Sequence, residues 1–303
     1  MRNLMRDGMM MLAGILIMTA SCTKDDVSEV AVVEGLEGKG TLALMLTDAP
    51  FPVSLVDKTL VTIDKIEIRS TIASTASSTT TTTADSEALY SVLYSGEGKV
   101  FDLLDLQNGV TAELMNMEIA AGSYDLIRMH VKKSEVVLKD GTIYDMKIPS
   151  DVTGGIKIKI TPELVIEDGV ESEVLLDFDV SKSFITQGNL KSAQGIKGFL
   201  FNPMLRAVCQ KYSGIITGKV SANETTPIVE ANVQIYRADT VYSSALTDAT
   251  GAYALIGLPA GNYKLVCEKD GYAANKIDQV IVKVKETTTT NITMGTATTT
   301  TNP

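Results

Sequence analysis

The chain has no tryptophan, a single histidine, and aromatic residues at only 5% of its length. Each shortage excludes something. Sugar-binding proteins use flat rings that pack against the apolar faces of sugars, so the lack of Trp argues against a lectin built on broad aromatic platforms. His130 is the one imidazole, set between Met129 and Val131 in a strand-like run, where a structural role is expected. A Ser–His–carboxylate triad needs a nucleophile held by such a base, yet no Gly-x-Ser-x-Gly elbow is present. His-Glu-x-x-His, Cys-x-x-Cys and Gly-Lys-Ser/Thr are also missing. Three cysteines do not make a disulfide framework in 303 residues, and Cys209 and Cys267 read as buried thiols, with a bridge between them left open. The net charge of −10 with no basic stripe makes nucleic acid a poor partner. No run approaches the ~18 consecutive apolar residues of a membrane-spanning helix.

The N-terminus carries an address. Arg2 and Arg6 form a positive segment, and Met9 to Thr19 is apolar over the length of a signal core, too short to span a bilayer. Thr19-Ala20-Ser21 then precedes Cys22. This resembles the lipobox of bacterial lipoproteins, with Thr19 where that family usually carries Leu. The resemblance implies a signal peptide over 1–21, an acylated Cys22 and a lipid contact in the outer membrane through it. Several acyl chains at about 0.8 kcal/mol per buried methylene give firm anchorage. Lys24-Asp25-Asp26 resembles the export signal that sends lipoproteins of one Gram-negative phylum to the outer face of the outer membrane. Residues 22–38 then read as a lipidated tether.

From Lys39 the chain turns to short runs rich in Val, Ile, Leu and Thr, the pattern of an all-β protein. Leu60 to Ile68 alternates, with a break at Asp64 that predicts a bulge or an edge. The Ser/Thr-rich stretch within 70–88 predicts a mobile loop. Val100 to Leu106 is expected as strand, Val110 to Met117 as a short helix, and Tyr124 to Leu138 as a long strand or bent pair. Asn108-Gly109 and Asp140-Gly141 are turns, the latter into a hairpin. A boundary falls between 210 and 214. Seven short strands follow in 214–295, the spacing of a small β-sandwich, and 296–303 is a Thr-rich disordered tail. Ala121-Gly122-Ser123-Tyr124-Asp125-Leu126 and Ala260-Gly261-Asn262-Tyr263-Lys264-Leu265 repeat one corner pattern in both halves.

Two further resemblances follow from ordered motifs. Gly218-Lys219-Val220, Pro227, Ala231-Asn232-Val233-Gln234-Ile235, Thr247-Asp248-Ala249-Thr250-Gly251-Ala252-Tyr253 and Leu258-Pro259-Ala260-Gly261-Asn262-Tyr263 are similar to the carboxypeptidase regulatory-like domain. That resemblance implies a transthyretin-like sandwich without carboxypeptidase activity. Glu230 stands where the family often has Gly. Over 39–210, Leu46-Thr47-Asp48-Ala49-Pro50, Phe101-Asp102-Leu103-Leu104-Asp105-Leu106, Asn108-Gly109-Val110, Leu175-Leu176-Asp177-Phe178-Asp179-Val180 and Arg206-Ala207-Val208 resemble the domain-of-unknown-function 4382 family of bacterial lipoproteins. This implies an extracytoplasmic β-rich domain with no established active site. The expected fold is therefore two tandem β-sandwiches, immunoglobulin- or transthyretin-like.

Aspartates supply the remaining chemistry. Asp177 and Asp179 share one strand face, opposite Leu176, Phe178 and Val180. With Asp48 beside them they are candidate oxygen ligands for Ca²⁺; a solvated acidic face is the simpler reading. Asp239-Thr240-Val241 resembles a three-residue bacterial O-glycosylation site, with Thr240 as acceptor. The expected function is a non-enzymatic, lipid-anchored binding, adhesion or scaffold module facing the cell exterior. Its partner is a polysaccharide or another surface protein. A glycan-binding accessory lipoprotein of a nutrient-uptake system is the alternative, and a carboxylate-based hydrolase comes last.

Overall fold

The computed structural model describes residues 38–49, 55–71, 87–189, 192–223 and 225–297. Cys22, Lys24, Asp25 and Asp26, most of the Ser/Thr stretch and the last six residues lie outside the described residues.

The N-terminal half is built from eleven strands: β1 (Lys39–Ala49), β2 (Val56–Ser70), β3 (Tyr90–Asp102), β4 (Ala112–Ala120), β5 (Gly122–Leu138), β6 (Ile143–Met146), β7 (Ile156–Ile166), β8 (Glu171–Asp179), β9 (Phe184–Gly188), β10 (Ile196–Phe201) and β11 (Leu205–Cys209). Nine of them form one path, β3-β2-β5-β7-β11-β8-β1-β4, with β6 on β5; β9 and β10 make a separate hairpin. The β7–β11 pairing is a single parallel contact, Ala207 with Ile160. The path folds over there, and its two halves close on one core. Leu42, Leu44, Leu46 and Phe178 come from one side, Ile63, Ile66, Ile68 and Ile127 from the other, all at most 1% exposed.

β2 shows how one irregularity organises a face. Its pairing with both β3 and β5 shifts between Ile63 and Lys65, so Asp64 is the bulge that the sequence pattern predicts. Strict alternation would put Val61 and Ile63 on one face and Ile66 and Ile68 on the other. The extra residue flips the phase, and all four reach the core. Glu67 is thereby turned to the opposite face, where it is buried among three basic side chains. Arg128 Nε donates to it at 2.7 Å, Lys65 Nζ lies at 2.7 Å and His130 Nε2 at 3.0 Å. Arg128 also forks onto Glu87 with two 2.7 Å bonds and stacks 4.0 Å from the Tyr90 ring centroid. Burial alone would raise the Glu67 pKa, but the bonds from Arg128, Lys65 and His130 prevail and hold it at about 2. His130 thus has the structural role expected of it.

Two expectations need correction. Val110 to Met117 is not a helix: Ala112–Ala120 is strand β4, paired with β1 from Lys39–Ala120 to Leu46–Ala112. Helix propensities differ by only tenths of a kcal/mol, less than what burying Leu114 and Met115 along β1 provides. Strand β3 ends at Asp102, and Leu103–Leu106 is a 3-10 turn. The Asp102 carboxylate accepts from Leu104 N and from Thr59 N, which stops the strand.

A 3-10 turn, Gln210–Tyr212, leads directly into the second sandwich. Its strands are β12 (Ser213–Ser221), β13 (Asn232–Arg237), β14 (Thr240–Leu246), β15 (Ala252–Pro259), β16 (Gly261–Glu268), β17 (Asn275–Val282), β18 (Thr287–Thr289) and β19 (Ile292–Thr293). One sheet runs β15-β12-β18 with β19 also on β12, the other β14-β13-β16-β17. Ile216, Val233, Ile235, Tyr253, Leu255 and Leu265 fill the space between them. Gly218 lets the segment after β18 cross closely: a Cβ there would collide with the Thr290 carbonyl. Glu230, at the position where the resembled family often has Gly, holds a left-handed φ of 53°. The repeated corner is the same device in both halves. Tyr124 donates to the Ala120 carbonyl at 2.8 Å and Tyr263 to the Pro259 carbonyl at 2.6 Å. Cys209 and Cys267 are free and buried, one in each core.

Candidate functional site at the domain junction

Even-numbered residues of β8 face the N-terminal core. Odd-numbered ones, Leu175, Asp177 and Asp179, lie on its other face, where Asp177 meets the second sandwich through Arg206. On β11, Arg206 stands opposite Asp177 in the antiparallel register. Its Nη2 is ion-paired with Asp177 Oδ2, and its Nη1 donates to the Tyr242 carbonyl on β14. The guanidinium carbon lies 4.0 Å from the Tyr242 ring centroid. One side chain therefore joins a carboxylate of one domain to the backbone and ring of the other. Burial by itself would lower the Arg206 pKa, yet the Asp177 charge and the Tyr242 contact outweigh it and the net direction is upward. Burial pushes the Tyr242 phenol up as well. A cleft of about 120 Å³ opens here, lined by Asp177, Asp179, Lys182, Met204, Arg206 and Tyr242. A smaller void of about 10 Å³ lies between Thr47, Asp177 and Ser243, room for about one water.

Asn108 makes the second link. It follows the Leu103–Leu106 turn with φ 59°. Thr47 Oγ1, 2.9 Å from the Val110 carbonyl and 3.1 Å from that of Leu106, holds the turn in place. Asn108 Oδ1 accepts from Ala254 N at 2.6 Å, and its Nδ2 donates to the Ala252 carbonyl at 3.4 Å. Strand β15 ends its sheet, so the Asn108 amide covers an otherwise open edge. Close apolar contact completes the junction. A Cβ on Gly257 would come within 2.8 Å of Leu175 Cδ2, and one on Gly109 within 3.0 Å of Ala254 Cβ.

The candidate cation ligands are placed as follows. The parallel register sets Asp48 opposite Phe178 and Thr47 opposite Asp177, so Asp48 lies on the other face from Asp177 and Asp179. Asp48 Oδ1 accepts from Val180 N at 3.1 Å, at the start of α1 (Val180–Ser183). Asp179 caps the same turn through Lys182 N and pairs with Lys182 Nζ at 2.6 Å. Asp177 is engaged by Arg206. Among the described residues, no group of three or more His, Cys, Asp or Glu side chains is placed to hold a metal ion. Thr240 opens β14 and is exposed, after Ala238 and Asp239 with φ of 46° and 43°. Sequence reasoning missed Arg206 and Tyr242 as a pair and took Asn108 only as a turn residue. The signal available was that Asp48, Asn108, Asp177 and Arg206 all fall within the segments that carry the family resemblance.

Residues 39–203 match the family described as a domain of unknown function (DUF4382), and residues 215–295 match the carboxypeptidase regulatory-like domain. No curated protein matches the chain. Among solved structures, a type II cohesin–X-dockerin complex from Acetivibrio cellulolyticus is 24% identical over 27% of this chain, at a TM-score of 0.22. The chain spans 56% of that structure's length. The minor pilin GBS52 of Streptococcus agalactiae is 12% identical, with 86% of this chain and 98% of the pilin covered, at a TM-score of 0.24. The shaft pilin SpaA of Lactobacillus rhamnosus GG is 11% identical, with 86% and 98% covered, at 0.26. The first family match spans more than half of the 303 residues, and the chain belongs to the DUF4382 family, with a carboxypeptidase regulatory-like domain as its second sandwich.

Proposed function

We propose that the protein is a non-enzymatic, lipid-anchored surface protein whose paired sandwiches act as a binding, adhesion or scaffold module. The observation that carries this reading is the junction. Arg206 and Asn108 tie the two domains through backbone, ring and strand-edge contacts, so that the pair presents its surfaces as one body. The carboxylates with the best chemical credentials in the sequence serve this architecture: Asp177 holds Arg206, and Asp48 and Asp179 hold the turn beside it. A hydrolase would need two carboxylates free to face a substrate bond.

Location enters through the N-terminus. Cys22 carries the lipid, residues 22–38 are the tether, and Lys24-Asp25-Asp26 directs the protein to the outer face of the outer membrane. Protease shaving of intact cells tests this. Digestion of both sandwiches before the outer membrane is permeabilised is expected, and their protection until then would refute outward exposure. Cys22→Ala is expected to release the protein from the membrane fraction. A glycan-binding accessory role is the second reading, favoured by a concavity on the C-terminal sandwich.

A further inference from the structure

That concavity measures about 310 Å³ and lies between the Ala238–Asp239 turn and the β16–β17 pair. Two ladder irregularities border it. The β13–β14 register shifts between Ile235 and Tyr236, and the β16–β17 register shifts between Tyr263 and Leu265. Adjacent bulges re-aim side chains, and here they flank the cross-strand pair Tyr236 and Lys264. Three non-glycine residues at the site, Ala238, Asp239 and Gln279, have positive φ; Gln279 sits at 59°. Strained backbone of this kind concentrates at ligand clamps.

One aromatic ring, that of Tyr236, borders the concavity, and the strand beneath it is fixed from the core side. Tyr263 is buried, its hydroxyl bonded to Pro259 O, and its ring lies 6.0 Å from that of Tyr242, which carries Arg206 on its face. Tyr236 is half-buried, with its hydroxyl 2.9 Å from Gln234 Oε1 and the Lys264 ammonium 4.8 Å from its ring centroid. The rim is polar and uncommitted. Asn262, Asp278 and Gln279 are exposed, and their side chains make no hydrogen bond to described residues. Amide and ammonium donors thus stand beside amide and carboxylate acceptors, over ring surface. Lys264 Nζ lies 3.8 Å from Asp239, so these two charges offset each other, and Asp278 remains to disfavour an anion. A neutral ring bearing many hydroxyls, each both donor and acceptor, satisfies all of them. The volume falls at the lower end of the roughly 300–1,000 Å³ usual for ligand clefts.

We propose that this concavity binds a neutral saccharide, with Tyr236 as the ring contact and Asn262, Asp278 and Gln279 as hydroxyl partners. The inference deepens the binding reading above and rests on it. The test is a glycan array probed with the full chain in detergent. It carries neutral oligosaccharides of β-glucan, xylan and mannan, and uronic-acid and sulfated ones. Binding to a neutral set is expected, weakened about tenfold or more by Tyr236→Ala and by Asn262→Ala. Asn262 and Asp278 are exposed, so Asn262→Ala and Asp278→Asn keep the test open if Tyr236→Ala fails to fold. Silence across the array overturns the proposal, as does preference for charged glycans or binding that survives all three substitutions. Protection from protease on intact cells would instead refute surface exposure and leave the array result standing.

Discussion

The N-terminal sandwich buries Asp48, Glu67, Arg128 and Asp177, whereas the buried polar residues of the C-terminal sandwich are Ser213, Ser243 and Thr247. In the second domain a single hydroxyl does the work of a charge network. Thr247 Oγ1 donates to the Ile228 carbonyl at 2.6 Å and accepts from Ala231 N at 2.8 Å. The two domains share layers, corners and a tyrosine hook, yet they solve the burial of polar groups differently. Paired charges need every partner in place, because one left alone in a low dielectric is costly. Neutral hydroxyls need only local geometry. The first sandwich should therefore respond to pH and to loss of a charge, and the second to changes in backbone packing.

The sharpest way to break this contrast is Arg128→Ala. It removes the largest of the three partners of Glu67, leaving Lys65 and His130, and is expected to cost the N-terminal domain about 3 kcal/mol. Calorimetry should show its transition fall while the C-terminal one holds. Acid gives the next largest effect. Glu67 has a folded pKa of about 2 against an ordinary 4.5, so its contribution is complete above about 4.5 and is lost as pH falls toward 2. At about 1.36 kcal/mol per unit, roughly 3 kcal/mol is at stake. Denaturant titrations across that range should show the N-terminal domain weakening, and Glu67→Gln should flatten the dependence. For the C-terminal sandwich the matching test is Gly218→Ala, which drives a methyl into the Thr290 carbonyl. A loss of about 1–3 kcal/mol, confined to the second transition, is expected.

Two smaller substitutions sharpen the comparison. Arg206→Met removes the guanidinium that joins Asp177 to the carbonyl and ring of Tyr242, and Asn108→Ala uncovers the edge of β15. Asn108→Ala is expected to cost about 1–2 kcal/mol, and Arg206→Met, which takes the ion pair from the buried Asp177, about 2–3 kcal/mol. A broadened distance distribution between spin labels on the two sandwiches would show the junction loosening. Glu230→Gly should do the opposite of the others. It replaces a left-handed side chain with glycine, and the second transition should rise by about 1 kcal/mol.

Much of the fold was legible because strand period and turn chemistry are local. The break at Asp64, the hairpin at Asp140-Gly141 and the repeated Ala-Gly-x-Tyr-x-Leu corners all appear where their residues place them. Ala112–Ala120 was misread because Ala, Leu, Met and Glu favour helix locally, and only pairing with β1 overrides them. β9 and the first half of β3 escaped for a related reason: Phe184–Gly188 is five residues long, and Tyr90–Gly98 carries few apolar positions. The candidate site was less legible. Asp177 was singled out, but its partner Arg206 lies on a different strand and Tyr242 in a different domain.

By itself the sequence determined an all-β chain of two sandwiches, since alternating apolar residues and Gly-, Asn- and Asp-bearing turns act over a few residues and leave little else for the chain to form. Only the tertiary structure decided what the aspartates do. A carboxylate is equally suited to a cation, an arginine or a backbone N–H, and the choice depends on which group folding brings within about 3 Å of it. For Asp177 that group is Arg206, and for Asp48 it is the backbone of Val180. The same carboxylates that could have framed a metal site instead hold the two domains and the turn beside them together.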